Sequence, residues 1–245
     1  MPSTFIEGIY GLWNNLLLKK EIRRKRIKTW DSFYMVNLVW GRRIPQFYLE
    51  RFTSLCKQRK IEQIIDAGCG SGLYTTYFSL QGFKIVAIDV SRTGLALTKH
   101  LVRSLHFLKL TKAINVEPSI VNFIKGELPH FPVADHKAQA IFVNYILHQL
   151  THKELTACIG EFRRILQNEG VILIHEPCGD KLLPPNETVE VLEDGSWFLK
   201  KHGVVNWNLT RDQLSKMMTD NFKVLNEGRL EENGKPKIIF VLEKS

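Results

Sequence analysis

Three glycines, Gly68, Gly70 and Gly72, alternate with other residues directly after an apolar run in the stretch IIDAGCGSG. Glycine at such positions lets the backbone turn tightly and brings its N–H groups close to a ligand, because no Cβ intervenes. One carboxylate, Asp66, precedes this loop, and another, Asp89, ends the next apolar run. The two carboxylates and the loop are suited to holding a small ligand that carries hydroxyl groups and a positive charge.

Two common ligands of glycine loops do not fit this spacing. A loop for nucleoside triphosphates requires a lysine directly after its last glycine, and none follows Gly72. A dinucleotide loop requires a small third residue in Gly-x-Gly-x-x-Gly, and this chain has Leu73 or Thr75 there. Asp66 would repel a phosphate but attract an ammonium or sulfonium group, and Asp89 is suited to accepting two hydrogen bonds from a ribose diol. The pattern therefore favours S-adenosylmethionine over NAD.

The elements that position these residues begin at about residue 61, where short apolar strands alternate with helical stretches. Two strands joined by a turn that contains Asn-Gly end the chain. Near-continuous apolar strands between helices indicate a parallel sheet covered on both faces, so we expect an α/β fold with five parallel strands and an antiparallel pair. The parallel strands are predicted over 61–66, 83–89, 119–124, 140–146 and 170–176, and helices over 73–81, 92–109, 152–167 and 211–219.

The N-terminal region, residues 1–58, lacks strand-like alternation and is expected to be a helical arm or lid before the main domain, residues 59–245. Its helices are predicted over about 5–18 and 30–56, with a break near Pro45.

The net charge of +9 is concentrated near the N-terminus, because KKEIRRKRIK, residues 19–28, carries seven basic residues and one acidic residue. A solvated helix face is one interpretation. Peripheral contact with an anionic membrane through residues 5–28 is another, and RNA binding is a third. Of the two possible partners, a membrane and RNA, RNA is the less favoured. The segment lacks interleaved aromatic residues, and no RNA-binding module is visible.

The remaining composition favours a cytoplasmic protein. No apolar run is long enough to span a membrane, and no lysine or arginine precedes Lys19, which argues against a secretory signal. The four cysteines show no metal-ligand spacing and are expected to be free thiols, so we expect no bound metal.

Three stretches of the chain resemble those of the class I S-adenosylmethionine-dependent methyltransferases: IIDAGCGSG, VAIDVS and FIKGELPHFPVADHKAQAIFVNYILHQL. The similarity covers roughly residues 60–245 and is to the small-molecule enzymes of the type 11 and quinone-biosynthesis group. It implies a Rossmann-like, seven-stranded, mostly parallel sheet with an antiparallel last strand, helices on both faces and an N-terminal helical extension. It also implies that S-adenosyl-L-methionine is the cofactor.

The resemblance implies a role for each matching residue. The glycines would line the amino-acid end of the cofactor, with Asp66 near its ammonium group and Asp89 at its ribose. Glu127 stands where the family usually has an Asp that accepts from the adenine amino group, and Asn144 would lie under the methionine moiety. The residues expected to contact the cofactor are Tyr34, Asp66, Ala67, Gly68, Cys69, Gly70, Gly72, Asp89, Val90, Glu127, Leu128 and Asn144.

Two residues depart from the family pattern. Glu127 is one methylene longer than the usual Asp at the adenine position. Gln139 replaces the customary Asp before the fourth strand, a residue whose role in the family is mainly structural.

Four residues are candidates for the acceptor side of the site. His148 is either a general base or a packed histidine, since imidazole titrates near neutral pH. His175, Trp197 and Trp207 are candidates for substrate contact, with packing as the alternative role for the two tryptophans. Glu176 is expected to orient the loop after the fifth strand.

The stretch WDSFY, residues 30–34, is similar to a segment with which many enzymes of this class cover their cofactor. Trp30 and Tyr34 would therefore either close the site or pack between helices.

These features predict an S-adenosylmethionine-dependent methyltransferase that acts on a small hydrophobic or aromatic molecule by in-line methyl transfer. Methyltransferases of nucleic-acid amines usually carry two prolines after the fourth strand, and the stretch VNYILHQ has none. No covalent nucleophile is needed, because the protein contributes alignment and a dry pocket. Two alternatives stay open, namely an RNA methyltransferase that uses the basic N-terminal arm and a catalytically silent, cofactor-binding partner protein.

Overall fold

The computed structural model of the chain describes residues 3–36, 44–110, 119–178, 189–199, 204–206, 209–232 and 235–245. The helices are α1 (Ser3–Val36), α2 (Gln46–Gln58), α3 (Leu73–Leu80), α4 (Arg92–Leu110), α5 (His152–Ile165) and α6 (Arg211–Thr219). The strands are β1 (Gln63–Ala67), β2 (Lys84–Asp89), β3 (Val121–Lys125), β4 (Ala138–Asn144), β5 (Leu166–Pro177), β6 (Val189–Val191), β7 (Trp197–Leu199), β8 (Val204–Asn206), β9 (Lys223–Glu232) and β10 (Lys235–Glu243).

Seven strands form one sheet in the order β3-β2-β1-β4-β5-β10-β9. The strands from β3 to β5 are parallel to one another, and β10 runs antiparallel to both of its neighbours, β5 and β9. Thus β10, the last strand of the chain, runs in the direction opposite to the other six strands of this sheet. This arrangement confirms the predicted α/β fold with a seven-stranded, mostly parallel sheet.

Buried side chains cover both faces of the large sheet. On one face the strands pack against α2 and α3, where the Phe78 ring lies 6.1 Å from that of Phe52 and 5.0 Å from that of Phe142. On the other face they pack against α5 and α6 through Phe162 and Met218, among others. The burial of these large apolar groups holds the strand ends in fixed positions.

Local sequence signals determine where two helices begin. The Thr151 side chain accepts the N–H of Glu154, and the Glu154 side chain accepts the N–H of Thr151 at 2.8 Å, which confirms the predicted capping box of α5. Thr210 and Gln213 form the same arrangement at the start of α6. The predicted break near Pro45 is also confirmed, since α2 begins at the next residue.

The N-terminal region differs from the sequence prediction in one respect. Instead of ending before the basic segment, α1 is a single helix of 34 residues that runs through it. No proline interrupts Ser3–Val36, so nothing in the sequence forces a break.

A second, three-stranded sheet in the order β6-β7-β8 was not predicted. Its strands have three residues each, which is too short for an alternating pattern to be recognised. Phe198 and Val205 of this sheet pack against Ile22 of α1. The Asn-Gly turn predicted between the last two strands lies outside the described residues.

In the described ranges, no helix is both long enough and apolar enough to cross a membrane. Those ranges also contain no cluster of three or more His, Cys, Asp or Glu side chains placed to hold a metal ion.

Candidate active site

A cleft of about 630 Å³ opens at the carboxyl ends of β1, β2 and β4. The strand order reverses between β1 and β4, and an open α/β sheet binds its ligand at such a point. Eight of the residues assigned to the cofactor from the sequence line this cleft, namely Tyr34, Asp66, Gly68, Cys69, Gly70, Asp89, Val90 and Asn144.

A smaller cavity of about 440 Å³ adjoins the cleft and shares Gly68, Asp89 and Val90 with it. Glu127 and Leu128, the remaining residues predicted near adenine, line this second space. Of the other two predicted residues, Ala67 is a buried residue at the end of β1, and Gly72 precedes α3.

The glycine loop needs its glycines for backbone conformation and for close contacts. Gly68, Gly70 and Gly72 have φ values of 79°, 56° and 91°, which residues with a Cβ rarely adopt. A Cβ on Gly68 would lie 2.3 Å from Cδ1 of Ile146, and one on Gly70 would lie 2.6 Å from the Tyr34 hydroxyl. The loop is therefore packed between the turn after β4 and helix α1.

Substitution of Gly72 by alanine is expected to lower the free energy of unfolding by about 2–4 kcal/mol. The new Cβ would lie 2.9 Å from Cα of Thr98, a backbone atom that does not yield easily. Gly82 is the control, because it has a nearly identical φ of 92° and a Cβ there would have no atom within 4 Å. Gly82→Ala therefore measures the cost of backbone strain alone, about 1–2 kcal/mol. Urea unfolding of both variants gives the difference, and equal losses would contradict the steric contact.

Asp66 and Asp89 are both buried and held by hydrogen bonds. Asp66 accepts from the Thr75 hydroxyl at 2.5 Å, and Asp89 accepts from the N–H groups of Gly70 and Ser91, each at 2.8 Å. Burial raises the pKa of Asp66 to about 7 and that of Asp89 to about 6, because the charged carboxylates lose hydration. A ligand with a cationic group and hydroxyls would compensate for that loss.

Helix α1 covers the open side of the cleft with Trp30 and Tyr34, both of which line it. The Trp30 Nε1–H donates to Oε1 of Gln149 at 2.9 Å. The Asp31 carboxylate accepts from the Ser91 hydroxyl at 2.6 Å and from a backbone N–H in the first turn of α4 at 3.1 Å. The WDSFY stretch is therefore fastened across the site, in agreement with one of its two sequence interpretations.

Glu127 is paired with the basic segment. Arg23 Nε donates to its carboxylate, and Arg26 Nη1 lies 3.6 Å from it. Arg26 is itself buried and forms an ion pair with Glu154 at 3.0 Å. The segment is a solvated helix face over most of its described cations, since Lys20, Arg23, Arg24 and Lys28 are exposed, and Arg26 departs from that interpretation because it is buried. The adenine contact of Glu127 stays a prediction.

Glu176 organises the turn after β4. Its buried carboxylate accepts from the N–H groups of Ile146 and Leu147 at 2.8 Å and from that of His148 at 3.3 Å. The same carboxylate lies 2.8 Å from Nδ1 of His148. Glu176 therefore orients a turn, but this turn follows β4 and not the fifth strand, where the sequence analysis placed its role. The His148 ring contacts Glu176 and lines neither cavity, which favours packing over general-base catalysis.

His175 lies inside β5 and lines neither cavity. Its Nδ1 is 2.8 Å from Oδ1 of Asn144, so the ring is placed behind a residue of the cleft. Burial, assisted by the charge of Lys237, lowers the pKa of His175 to about 3, and the ring is neutral at physiological pH. Trp197 belongs to β7 and lines neither cavity, and Trp207 lies outside the described residues.

Sequence reasoning missed Tyr145, which lines the cleft with a φ of 58°. Its N–H donates to the carbonyl of His175 at 2.9 Å, and its ring lies 5.1 Å from the His175 ring. A left-handed tyrosine is uncommon, and no glycine marks the turn. The one available signal was its place directly after Asn144, the polar residue that ends β4.

Gln139 has a structural role. Its side-chain oxygen accepts from the N–H groups of Glu62 and Gln63 at 2.9 and 3.0 Å, which joins the start of β4 to the start of β1. The amide thus supplies the acceptor that a carboxylate would supply at this position.

The strand order and the position of this cleft are those expected for the fold of class I S-adenosylmethionine-dependent methyltransferases. Residues 65–174, from β1 into β5, match the family model described as a methyltransferase domain.

Among curated proteins, the chain is similar to a malonyl-[acyl-carrier protein] O-methyltransferase from Hamiltonella defensa, with 22% identity over 110 residues. The match covers 45% of this chain and 36% of that protein. The chain spans less than half the length of the curated relatives it matches.

Two solved structures show the same fold at low identity. A protein from Pyrococcus horikoshii OT3 aligns with a TM-score of 0.62 and 16% identity, over 87% of this chain and 99% of that one. Magnesium protoporphyrin IX methyltransferase from Synechocystis PCC 6803, solved with bound SAH, aligns with a TM-score of 0.57 and 11% identity, over 94% of this chain and 100% of that one.

Proposed function

We propose that this protein is an S-adenosylmethionine-dependent methyltransferase that methylates a small hydrophobic or aromatic molecule. The observation that carries the proposal is the pair of buried carboxylates, Asp66 and Asp89, at the two sides of the glycine loop. Among the described residues, no lysine or arginine lines this cleft. Such a site suits a ligand with an ammonium group and a ribose better than a ligand that carries phosphates.

Each end of the cofactor has a matching partner. Asp66 would accept from the ammonium group, and Asp89 would accept from the ribose hydroxyls at the boundary between the two cavities. Val90 and Leu128 would pack against adenine in the smaller cavity, beside Glu127. Residues 1–58 would form an N-terminal helical arm, of which α1 serves as the lid while α2 packs on the sheet, and residues 59–245 would form the cofactor-binding domain.

The wall of the cleft supports an apolar acceptor. Aromatic rings exclude water and pack against apolar or flat molecules. The names of similar proteins specify malonyl-[acyl-carrier protein] and magnesium protoporphyrin IX as acceptors, neither of them a nucleic acid. The aromatic residues of the wall are Trp30, Tyr34, Tyr74, Phe142 and Tyr145.

The residues of this chain would act by alignment and by exclusion of water. The cofactor, when bound, supplies an activated methyl group on a sulfonium that leaves as a neutral thioether. The glycine loop and Asp89 would fix one reactant, while the aromatic wall would fix the other and keep water out. Such orientation is worth about 7–11 kcal/mol of the barrier, so no general base is required. The ring of His148 is engaged by Glu176 and is not needed as one.

Calorimetric titration with S-adenosylmethionine and S-adenosylhomocysteine tests the proposal directly. We expect both to bind, and we expect mass spectrometry to find a gain of one methyl group in an aromatic or carboxylate-bearing acceptor. Binding of neither compound would contradict the proposal. Binding of both without methylation across a broad acceptor panel would favour the catalytically silent partner protein.

The affinity for S-adenosylmethionine is expected to rise between about pH 5 and pH 8. In the free protein the pKa of Asp66 is about 7 and that of Asp89 about 6, so at pH 5 both carboxyls must lose a proton to bind the ligand. Calorimetry at four pH values measures the trend, and Asp66→Asn should flatten its upper part.

Because both pKa values exceed the ordinary 3.8, the same groups make the free protein less stable as pH rises from about 4 to 7.

RNA methylation is the second candidate, and the basic segment is the observation that favours it. Arg23 and Arg26 are engaged by carboxylates, but Lys20, Arg24 and Lys28 are exposed. RNA binding through them would weaken steeply with salt and would be lost when all three are replaced by glutamine. Retention on vesicles of anionic lipid, lost in the same variant, would instead indicate peripheral membrane contact through residues 5–28.

A further inference from the structure

Arg26 of helix α1 is, among the described residues, the one basic residue that lines either cavity. It borders the smaller cavity beside Glu127, and its side chain is only 6% exposed. A cation that is taken out of water is costly unless charged and polar partners compensate for the lost hydration. The partners of each N–H group of Arg26 therefore show what this residue can do.

One end of the Arg26 guanidinium is engaged by carboxylates. Nη2 donates to one oxygen of Glu154 at 3.0 Å, and Nη1 donates to the other at 3.4 Å. Nη1 also lies 3.6 Å from Oε1 of Glu127, which adds an ion pair. Because Glu154 is itself fixed by the capping box of α5, these contacts hold the guanidinium in a defined position at the edge of the cavity.

The remaining N–H group, at Nε, has no such partner. Nε is buried and finds no hydrogen-bond acceptor in the part of the chain that the structure describes. A buried N–H without an acceptor is destabilising, so a ligand that offers a lone pair at this place would be favoured. Glu127, next to Arg26, offers acceptor oxygens. Together the two side chains match a ligand that carries a donor and an acceptor side by side.

Adenine has this combination, because its exocyclic amino group is a donor flanked by two ring nitrogens, N1 and N7, that are acceptors. We propose that Arg26 is a specificity-determining residue for the base of the cofactor, and that its Nε–H donates to one of these two nitrogens. The inference rests on the proposed function and extends it. It assigns recognition of the base to a residue of α1, the lid, in addition to the residues of the α/β domain.

Calorimetric titration with the 1-deaza and 7-deaza analogues of S-adenosylhomocysteine tests the inference. In each analogue a C–H group replaces one ring nitrogen, which removes one acceptor and keeps the amino group. We expect the wild type to bind one of the two analogues about tenfold more weakly than S-adenosylhomocysteine. The weaker analogue identifies the nitrogen. Equal affinity for all three compounds would overturn the inference without any variant.

Arg26→Lys shows whether Arg26 causes this preference. Lysine keeps the charge that pairs with Glu154 but has no N–H group at the position of Nε. In this variant the preference over the weaker analogue should fall from about tenfold to within about threefold. Arg23→Lys is the matched control, because Arg23 also contacts Glu127 but is 68% exposed and lines neither cavity. It should keep the wild-type preference.

These outcomes separate the inference from the proposed function. If the wild type binds neither S-adenosylmethionine nor S-adenosylhomocysteine, the function is wrong and the inference falls with it. If the wild type binds both, but Arg26→Lys keeps the full preference, the function stands and Arg26 only fastens α1 to Glu154.

Discussion

Replacement of Asp89 by alanine is expected to weaken S-adenosylmethionine binding about a hundredfold or more. Two hydrogen bonds from a ribose diol to a buried carboxylate contribute about 1.5–3 kcal/mol each, and both are lost. The change also removes the acceptor of the Gly70 and Ser91 N–H groups, so the glycine loop loses an anchor. Calorimetric titration well below the unfolding temperature measures the effect.

Asp31 offers a matched control for this substitution. Its carboxylate also accepts from Ser91, but it lines neither cavity. Asp31→Ala is therefore expected to loosen α1 and to change Kd only a fewfold. If Asp89→Ala binds as tightly as the wild type, the ribose does not lie at the end of β2. If the two variants lose equal affinity, the effect comes from the lid and not from direct contact.

Replacement of Glu176 by glutamine is expected to lower the free energy of unfolding by about 2–4 kcal/mol. The carboxylate accepts three backbone N–H groups of residues 146–148 and also contacts the His148 ring. In Glu176→Gln, one side-chain oxygen still accepts from the N–H groups of Ile146 and Leu147. The N–H2 group then faces the backbone nitrogen and the ring Nδ1 of His148. Since a domain of this size loses about 2–4 °C per kcal/mol, the melting temperature should fall by roughly 10 °C.

Urea unfolding measures this loss, and Glu62→Gln is the control. Glu62 is an exposed residue that pairs with Lys84 at 3.0 Å, and its substitution should change stability by less than about 0.5 kcal/mol. A shift of the midpoint at constant slope shows a change in stability alone. Equal stability of Glu176→Gln and the wild type would show that the turn after β4 does not depend on the charge of this carboxylate.

The sequence predicted the elements whose signals are local. Apolar runs between helical stretches located β1 to β5, and the capping boxes at Thr151 and Thr210 located the starts of α5 and α6. The spacing of the glycines and of Asp66 and Asp89 predicted residues that the structure brings to one cleft. These inferences succeeded because the carboxyl ends of parallel strands lie at one edge of a sheet.

Contacts between distant residues were beyond the reach of the sequence. Nothing local shows that Arg23 would neutralise Glu127, a partner 104 positions away, or that α1 would continue through the basic segment and lie across the cleft. The three-residue strands β6, β7 and β8 carry too little pattern to be recognised. Their packing depends on α1, through Ile22, and not on their own sequence.

What the sequence by itself determined is the framework of the cleft: an α/β sheet, a glycine loop without a phosphate-binding lysine, and two carboxylates at strand ends. Only the tertiary structure decided which hydrogen-bond partner each polar group has and whether that group is charged. It placed His175 behind Asn144 and turned the His148 ring to Glu176. The physical reason is that residue type and spacing fix which backbone position a group occupies, whereas its hydrogen-bond partner and charge depend on side chains that folding brings from elsewhere in the chain.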